Sequence, residues 1–255
     1  MKEQQQMTHR EQPPPASALS PGVSRREVWG WAMYDVANSS YTTVVITAVF
    51  NAYFVAVVAG DAAWATFAWT ASLAVSHLGL ILIGPVIGAY ADLRARKKAV
   101  LLCSTAGCVL TTAALYFAQP GALAFTVAML VLSSLFFGLG ENLIASFLPE
   151  LGPADSQGKL SGWGWSIGYF GGLAALVACL AYITWASERG HEASQFVPVT
   201  MLITAAFFAL ASVPTFLLLR ERGRPQAVPM PRGVVRDTFT RLAQTWMRAA
   251  HYVDL

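Results

Sequence analysis

Apolar residues along this chain come in long blocks separated by short polar breaks. Six runs, at residues 29–59, 66–90, 99–117, 122–147, 160–185 and 196–219, are almost wholly apolar. Each reaches the roughly 20 residues that a helix needs to cross the hydrocarbon core of a bilayer. No stretch alternates with a period of two, which excludes a β-barrel. The pattern predicts an all-α membrane protein, a six-helix transmembrane bundle over residues 28–219. The flanks differ in kind. Residues 1–27 are polar and contain Pro13, Pro14 and Pro15, and are expected to be a disordered cytoplasmic N-terminus. The first apolar run is too long for the core of a cleavable signal peptide. After residue 219 comes a basic, Pro-containing segment. Within it Val235, Phe239, Leu242 and Trp246 follow helical spacing, while Arg236, Arg241, Gln244 and Arg248 take other faces. Residues 220–255 are therefore expected to be cytoplasmic and to hold a basic amphipathic helix on the membrane surface.

Composition narrows the class further. Of the 255 residues, 55% are hydrophobic and 12% charged. Soluble domains carry about 25% charge. A soluble globular enzyme, a nucleic-acid-binding protein and a disordered chain are thereby excluded. Cys103, Cys108 and Cys179 all lie in apolar runs, so neither a disulfide framework nor a zinc site is expected. Of the 17 Lys and Arg, only Arg189 falls outside the segments that an even, six-span path assigns to the cytoplasm. The positive-inside rule then puts both ends of the bundle in the cytoplasm.

The runs themselves hold no Lys or Arg, but they do hold carboxylates: Asp35 in the first and Glu141 in the fourth. A carboxylate at membrane depth is costly and usually functional. Asp35, Asn38 and Thr42 recur at i, i+3 and i+7 and share one helix face. Ser134, Gly138 and Glu141 form a similar stripe on the fourth run. At 1.5 Å per residue, Asp35 and Glu141 each lie about 9 Å from the cytoplasmic end of their helix. These side chains are expected to line a substrate or proton pathway, the alternative being hydrogen bonds to a neighbouring helix. His77, near the centre of the second run, either carries a proton on that pathway or is a neutral imidazole bonded to a neighbouring helix. Gly164, Gly168 and Gly172 make a small-residue stripe for close helix packing. Gly162 and Gly171 add to it, and Trp163 and Trp165 are expected to be interfacial anchors. No nucleotide-binding Gly loop, Ser–His pair or metal cluster is visible, so no enzyme activity, cofactor or metal is expected.

The segment Gly88-Ala-Tyr-Ala-Asp92-Leu-Arg-Ala-Arg96-Lys97-Lys98 joins the second and third runs on the cytoplasmic side. Gly88 permits close helix approach. Asp92 is expected to pair with Arg96, beside Lys97, as a charge latch that favours one access state. This loop resembles the signature of the major facilitator superfamily, with Ala95 standing where the superfamily usually has Gly. Two further blocks narrow the resemblance. They are Trp29-Gly-Trp-Ala-Met-Tyr-Asp35-Val-Ala-Asn38-Ser-Ser-Tyr41, and Phe147-Leu-Pro-Glu-Leu151 with Gly158-Lys-Leu-Ser-Gly-Trp-Gly-Trp165. They resemble the branch that contains the autophagy-related vacuolar amino-acid effluxers and their bacterial relatives. The resemblance implies the N-terminal half of a major facilitator fold, a 3+3 inverted repeat. It also implies secondary transport of a small-molecule substrate, with amino-acid efflux and proton coupling, in a bacterial inner membrane. A second six-helix half, either a missing C-terminal half or a second copy, is the expected partner beside the lipid bilayer, and nucleic acid is not one. A non-transporting scaffold, a degenerate half-transporter and a channel-like pore remain as alternatives.

Overall fold

The computed structural model describes residues 19–223. Among these residues there is no strand, and six helical spans are long and apolar enough to cross a membrane. Span one covers Arg25–Val58, span two Ala65–Arg94 and span three Lys97–Phe117. Span four covers Leu123–Leu151, span five Ala154–Ser187 and span six Ala193–Leu218. Most begin or end several residues beyond the apolar run, because helical hydrogen bonding continues where the side chains turn polar. Span five, for example, starts six residues before its apolar run and includes Asp155 and Lys159.

The helices pack in a pattern that repeats. Span one lies against spans five and six, and span four lies against spans two and three. Spans three and six meet each other across the bundle. Exchanging one with four, two with five and three with six leaves this set of neighbours unchanged. Because the members of each pair are three spans apart in chain order, the exchanged helices run in opposite directions. This is the 3+3 inverted arrangement of half a major facilitator fold. Span six docks on span one at Gly30, where an added Cβ would meet Leu218 Cβ at 2.8 Å. Thr215 Oγ1 donates to the Gly30 carbonyl there, at 2.7 Å.

The bundle is apolar outside and carries hydroxyls inside. Phe67, Ile81, Leu110, Leu210 and Leu217 are exposed on its surface. Thr105, Thr126, Thr200, Thr204 and Ser212 are buried, and each returns its hydrogen to a carbonyl one turn back. That local bond satisfies the hydroxyl without a partner helix, so the residue stays small and lets backbones approach.

Two boundaries differ from the sequence expectation. Order extends into the segment expected to be disordered through residue 27. Ser20 N donates to the Leu151 carbonyl at 2.9 Å. The Ser24 hydroxyl accepts from Glu27 N, which starts the helix at Arg25. At the other end, Arg220–Gly223 lie against the helix ends, bonded to Glu27 and Glu150, so the ordered bundle continues past residue 219. The amphipathic segment at Val235–Trp246 lies outside the described residues.

Candidate functional site

Span one is rotated by its tyrosines. Tyr34 Oη lies 2.8 Å from Thr105 Oγ1 of span three. Tyr41 Oη lies 2.8 and 3.1 Å from the Ser133 and Ser134 hydroxyls of span four, and its ring stacks on Phe137 at 4.7 Å. Trp31 Nε1 donates to the Ile144 carbonyl at 2.9 Å. With these rings fixed in the core, Asp35, Asn38, Ser39, Thr42 and Thr43 are left on an open cleft of about 420 Å³. The α-helix gives way to a π-helical stretch at Thr42–Ala48. Its wider turns are seen in the Val49 N to Val44 carbonyl bond, and its first two residues, Thr42 and Thr43, line the cleft. Such stretches are common at functional sites.

Span five closes one side of the cleft through its glycines. A Cβ at Gly164 would stand 2.6 Å from Asp35 Oδ2, and one at Gly168 would stand 2.9 Å from the Asp35 carbonyl. At Gly172 it would meet Thr43 Oγ1 at 2.7 Å, and at Gly171 it would meet Val36 Cγ1 at 2.5 Å. Gly162 has open space around it and takes no part. With the glycines turned to span one, Trp165, Tyr169, Leu173 and Leu176 come round to the cleft. Trp165, expected to be an interfacial anchor only, is a wall of this cleft. Tyr169 carried no signal in the sequence, because an aromatic residue in an apolar run reads as lipid-facing until helix rotation is known.

Span four contributes Glu141 and Phe137 to the same cleft. A second chamber of about 320 Å³ continues from it, sharing Thr42, Phe137 and Glu141 and adding His77, Leu73, Leu80, Ser134 and Gly138. Glu141 thus borders both chambers, within electrostatic reach of His77 in one and Asp35 in the other. Ser134 is engaged by Tyr41, and Gly138 lies beneath Leu80, whose Cδ2 a Cβ would meet at 2.6 Å. His77 Nδ1 is 2.7 Å from the Leu73 carbonyl. Its bond therefore goes to its own helix, not to a neighbouring one.

At the end of the bundle that holds both its termini, the charge latch has different partners from those expected. Lys97 Nζ lies 3.1 Å from Asp92 Oδ1 and 3.0 Å from Glu150 Oε1. Arg96 makes no side-chain ion pair among the described residues. Ala95 takes a left-handed conformation, φ 48° and ψ 52°, and this turn carries Arg96 outward and Lys97 inward. Gly88 has nothing within 4 Å of where a Cβ would be, so it provides no close approach within this bundle. The segment after span six completes the network. Glu221 accepts from Lys97 N at 2.6 Å and Lys98 N at 3.3 Å, so a carboxylate from elsewhere in the chain caps the start of span three. Arg222 forks onto buried Glu27, with Nη2 2.8 Å from Oε2, and its backbone N donates to Glu150 Oε2 at 3.1 Å. The Glu27 carboxylate raises the pKa of the Arg222 guanidinium above its ordinary value, so this pair stays ionised. Glu150 lies in a motif that the sequence displays, yet its role appears only when spans three and four are set side by side.

Comparison with known proteins gives two matches. The family described as "Vacuole effluxer Atg22 like" matches residues 53–255. An uncharacterized MFS-type transporter of Bacillus subtilis (strain 168), YxiO, is 27% identical over 227 residues, 87% of this chain and 52% of the relative. The chain thus spans about half the length of that relative. No solved structure matches.

Proposed function

Because the chain belongs to the vacuole effluxer Atg22-like family, we propose that it forms one half of a major facilitator-type secondary transporter that exports a small amine-bearing solute, an amino acid, by alternating access. The observation that carries this reading is the cleft. It combines two carboxylates at membrane depth, Asp35 and Glu141, and none of its lining residues is Lys or Arg. Carboxylates in such a place need a counter-charge, and a proton or a solute ammonium supplies it. Asp35 and Glu141 exchange a coupling proton with the solute, with His77 beside Glu141 in the adjoining chamber. A second six-helix half closes the open side of the cleft. The Lys97 pairs with Asp92 and Glu150 tie the cytoplasmic ends of spans two, three and four in one access state and part in the other. Both ends of the bundle face the cytoplasm of a bacterial cell.

The test is flux of labelled amino acids in proteoliposomes that hold the chain with its second half, with and without a pH gradient. At saturating solute, Asp35→Asn retains exchange across the membrane but loses accumulation driven by the gradient. Wild-type gradient dependence in both Asp35→Asn and Glu141→Gln rejects the proton role.

A further inference from the structure

We infer that the cleft selects its solute by positive charge, taking a primary ammonium on a compact apolar body, and that Trp165 and Tyr169 set this preference. The inference rests on the transport reading for its purpose but not for its chemistry.

The charged groups of the cleft, Asp35 and Glu141, are hydrogen-bond acceptors without a cationic partner. Ionised carboxylates only accept, and Asp35 and Glu141 have no hydrogen bond or ion pair to a cationic side chain among the described residues. Asn38 is 7% exposed, and its Oδ1 has no hydrogen-bond partner. A buried carbonyl oxygen is costly to leave unpaired, and this one belongs to a side chain that lines the cleft. Thr42 spends its hydroxyl hydrogen on the Asn38 carbonyl at 3.1 Å, which leaves its oxygen as another acceptor. A primary ammonium presents three donors and no acceptor, the complement of this set. A carboxylate or phosphate would meet two like charges and no guanidinium or ammonium.

The walls favour the same guest. Trp165 and Tyr169 are 72% and 70% exposed, with ring centroids 6.4 Å apart, on the span whose Gly164 abuts the Asp35 carboxylate. Aromatic faces attract cations, most strongly where water is scarce. Phe137, Leu173 and Leu176 make the rest of the lining apolar, which suits a short hydrocarbon body. The α-ammonium end of an apolar amino acid is one instance of this class. Its carboxylate finds no cationic partner on these walls.

The experiment is calorimetric titration of the chain, reconstituted with its second half in nanodiscs, at pH 7, with empty nanodiscs as the blank. The probes share one carbon skeleton: 3-methylbutylamine, 3-methylbutan-1-ol, 3-methylbutanoate and leucine. The amine is expected to bind at least tenfold more tightly than the alcohol and no more weakly than leucine, with no binding of the carboxylate. Trp165→Ala is expected to weaken the amine about tenfold, while Trp165→Phe restores most of the loss. Asp35→Asn and Glu141→Gln each weaken it by tenfold or more, with folding checked by circular dichroism. Glu141 is exposed, so its variant reports even where Asp35→Asn disturbs packing. Binding of 3-methylbutanoate, equal affinity for alcohol and amine, a leucine affinity tenfold above the amine, or no amine binding would overturn the inference. Amine binding without amino-acid flux would sink the transport reading alone. Flux without amine binding would sink the inference alone.

Discussion

Ala95 sits at φ 48°, where an L side chain crowds its own carbonyl at a cost of about 1 kcal/mol. The turn between spans two and three requires that conformation, and Gly would adopt it without the clash. Ala95→Gly is therefore expected to stabilise the chain by up to about 1 kcal/mol, less what the freer unfolded chain takes back. A thermal melt in detergent that is unchanged or lowered would contradict this. The same turn decides which basic residue matters. Lys97 holds two carboxylates and its side chain is 14% exposed, whereas Arg96 points away from the bundle. Lys97→Ala should cost about 2 kcal/mol, the range of hydrogen bonds to charged groups. Arg96→Ala should stay within about 0.5 kcal/mol. Equal losses in the two melts would return Arg96 to the latch.

Spans one and five meet through missing side chains. At Gly171 an added methyl would stand 2.8 Å from Val36 Cα, which is backbone and cannot swing aside. Overpacking of this kind typically costs about 1–3 kcal/mol. Gly171→Ala should therefore push the two helices apart and lower the melting temperature, while Gly162→Ala, facing open space, should leave it unchanged. An equal response at both positions would mean that the glycines serve helix flexibility and not contact. The same contact orients the cleft. By seating its glycines on span one, span five presents Trp165 and Tyr169 beside Asp35, so one packing decision fixes both the carboxylate and the aromatic wall.

The six spans together leave the cleft open along one side, where Glu141, Trp165 and Tyr169 meet whatever surrounds the bundle. Hydrocarbon against two carboxylates is unfavourable. The bundle is therefore expected to pair its cleft face with a second six-helix body, either a distinct half or another copy of itself. Cross-linking in native membranes through a cysteine at Tyr169, in a background without Cys103, Cys108 and Cys179, should trap such a partner. A chain that stays single under these conditions, with the cysteine labelled by a lipid-soluble reagent only, would reject the pairing. At the end where spans one and six terminate, the molecule is held by its own continuation. Glu221 and Arg222 bind spans one, three and four at once, so a movement of the segment leaving span six is transmitted to the ends of three other helices.

Sequence alone determined the number of spans, the absence of strands and the presence of carboxylates in the membrane. The reason is that partition into hydrocarbon depends on residue chemistry summed along a run, whatever the run packs against. It also brought out Asp35, Asn38 and Thr42 as one face, because helical periodicity is local. It placed the glycines of span five on a common stripe for the same reason. Tertiary structure alone decided what each face meets. Lys97 and not Arg96 holds Asp92, because a left-handed Ala95 reverses their directions. Trp165 faces the cleft, because the glycines beside it are drawn to span one. Glu150 and Glu27 became partners of basic side chains, and Glu221 of backbone amides, far away in the chain. Rotation of a helix about its own axis costs nothing in the sequence pattern, and only contact with its neighbours sets it.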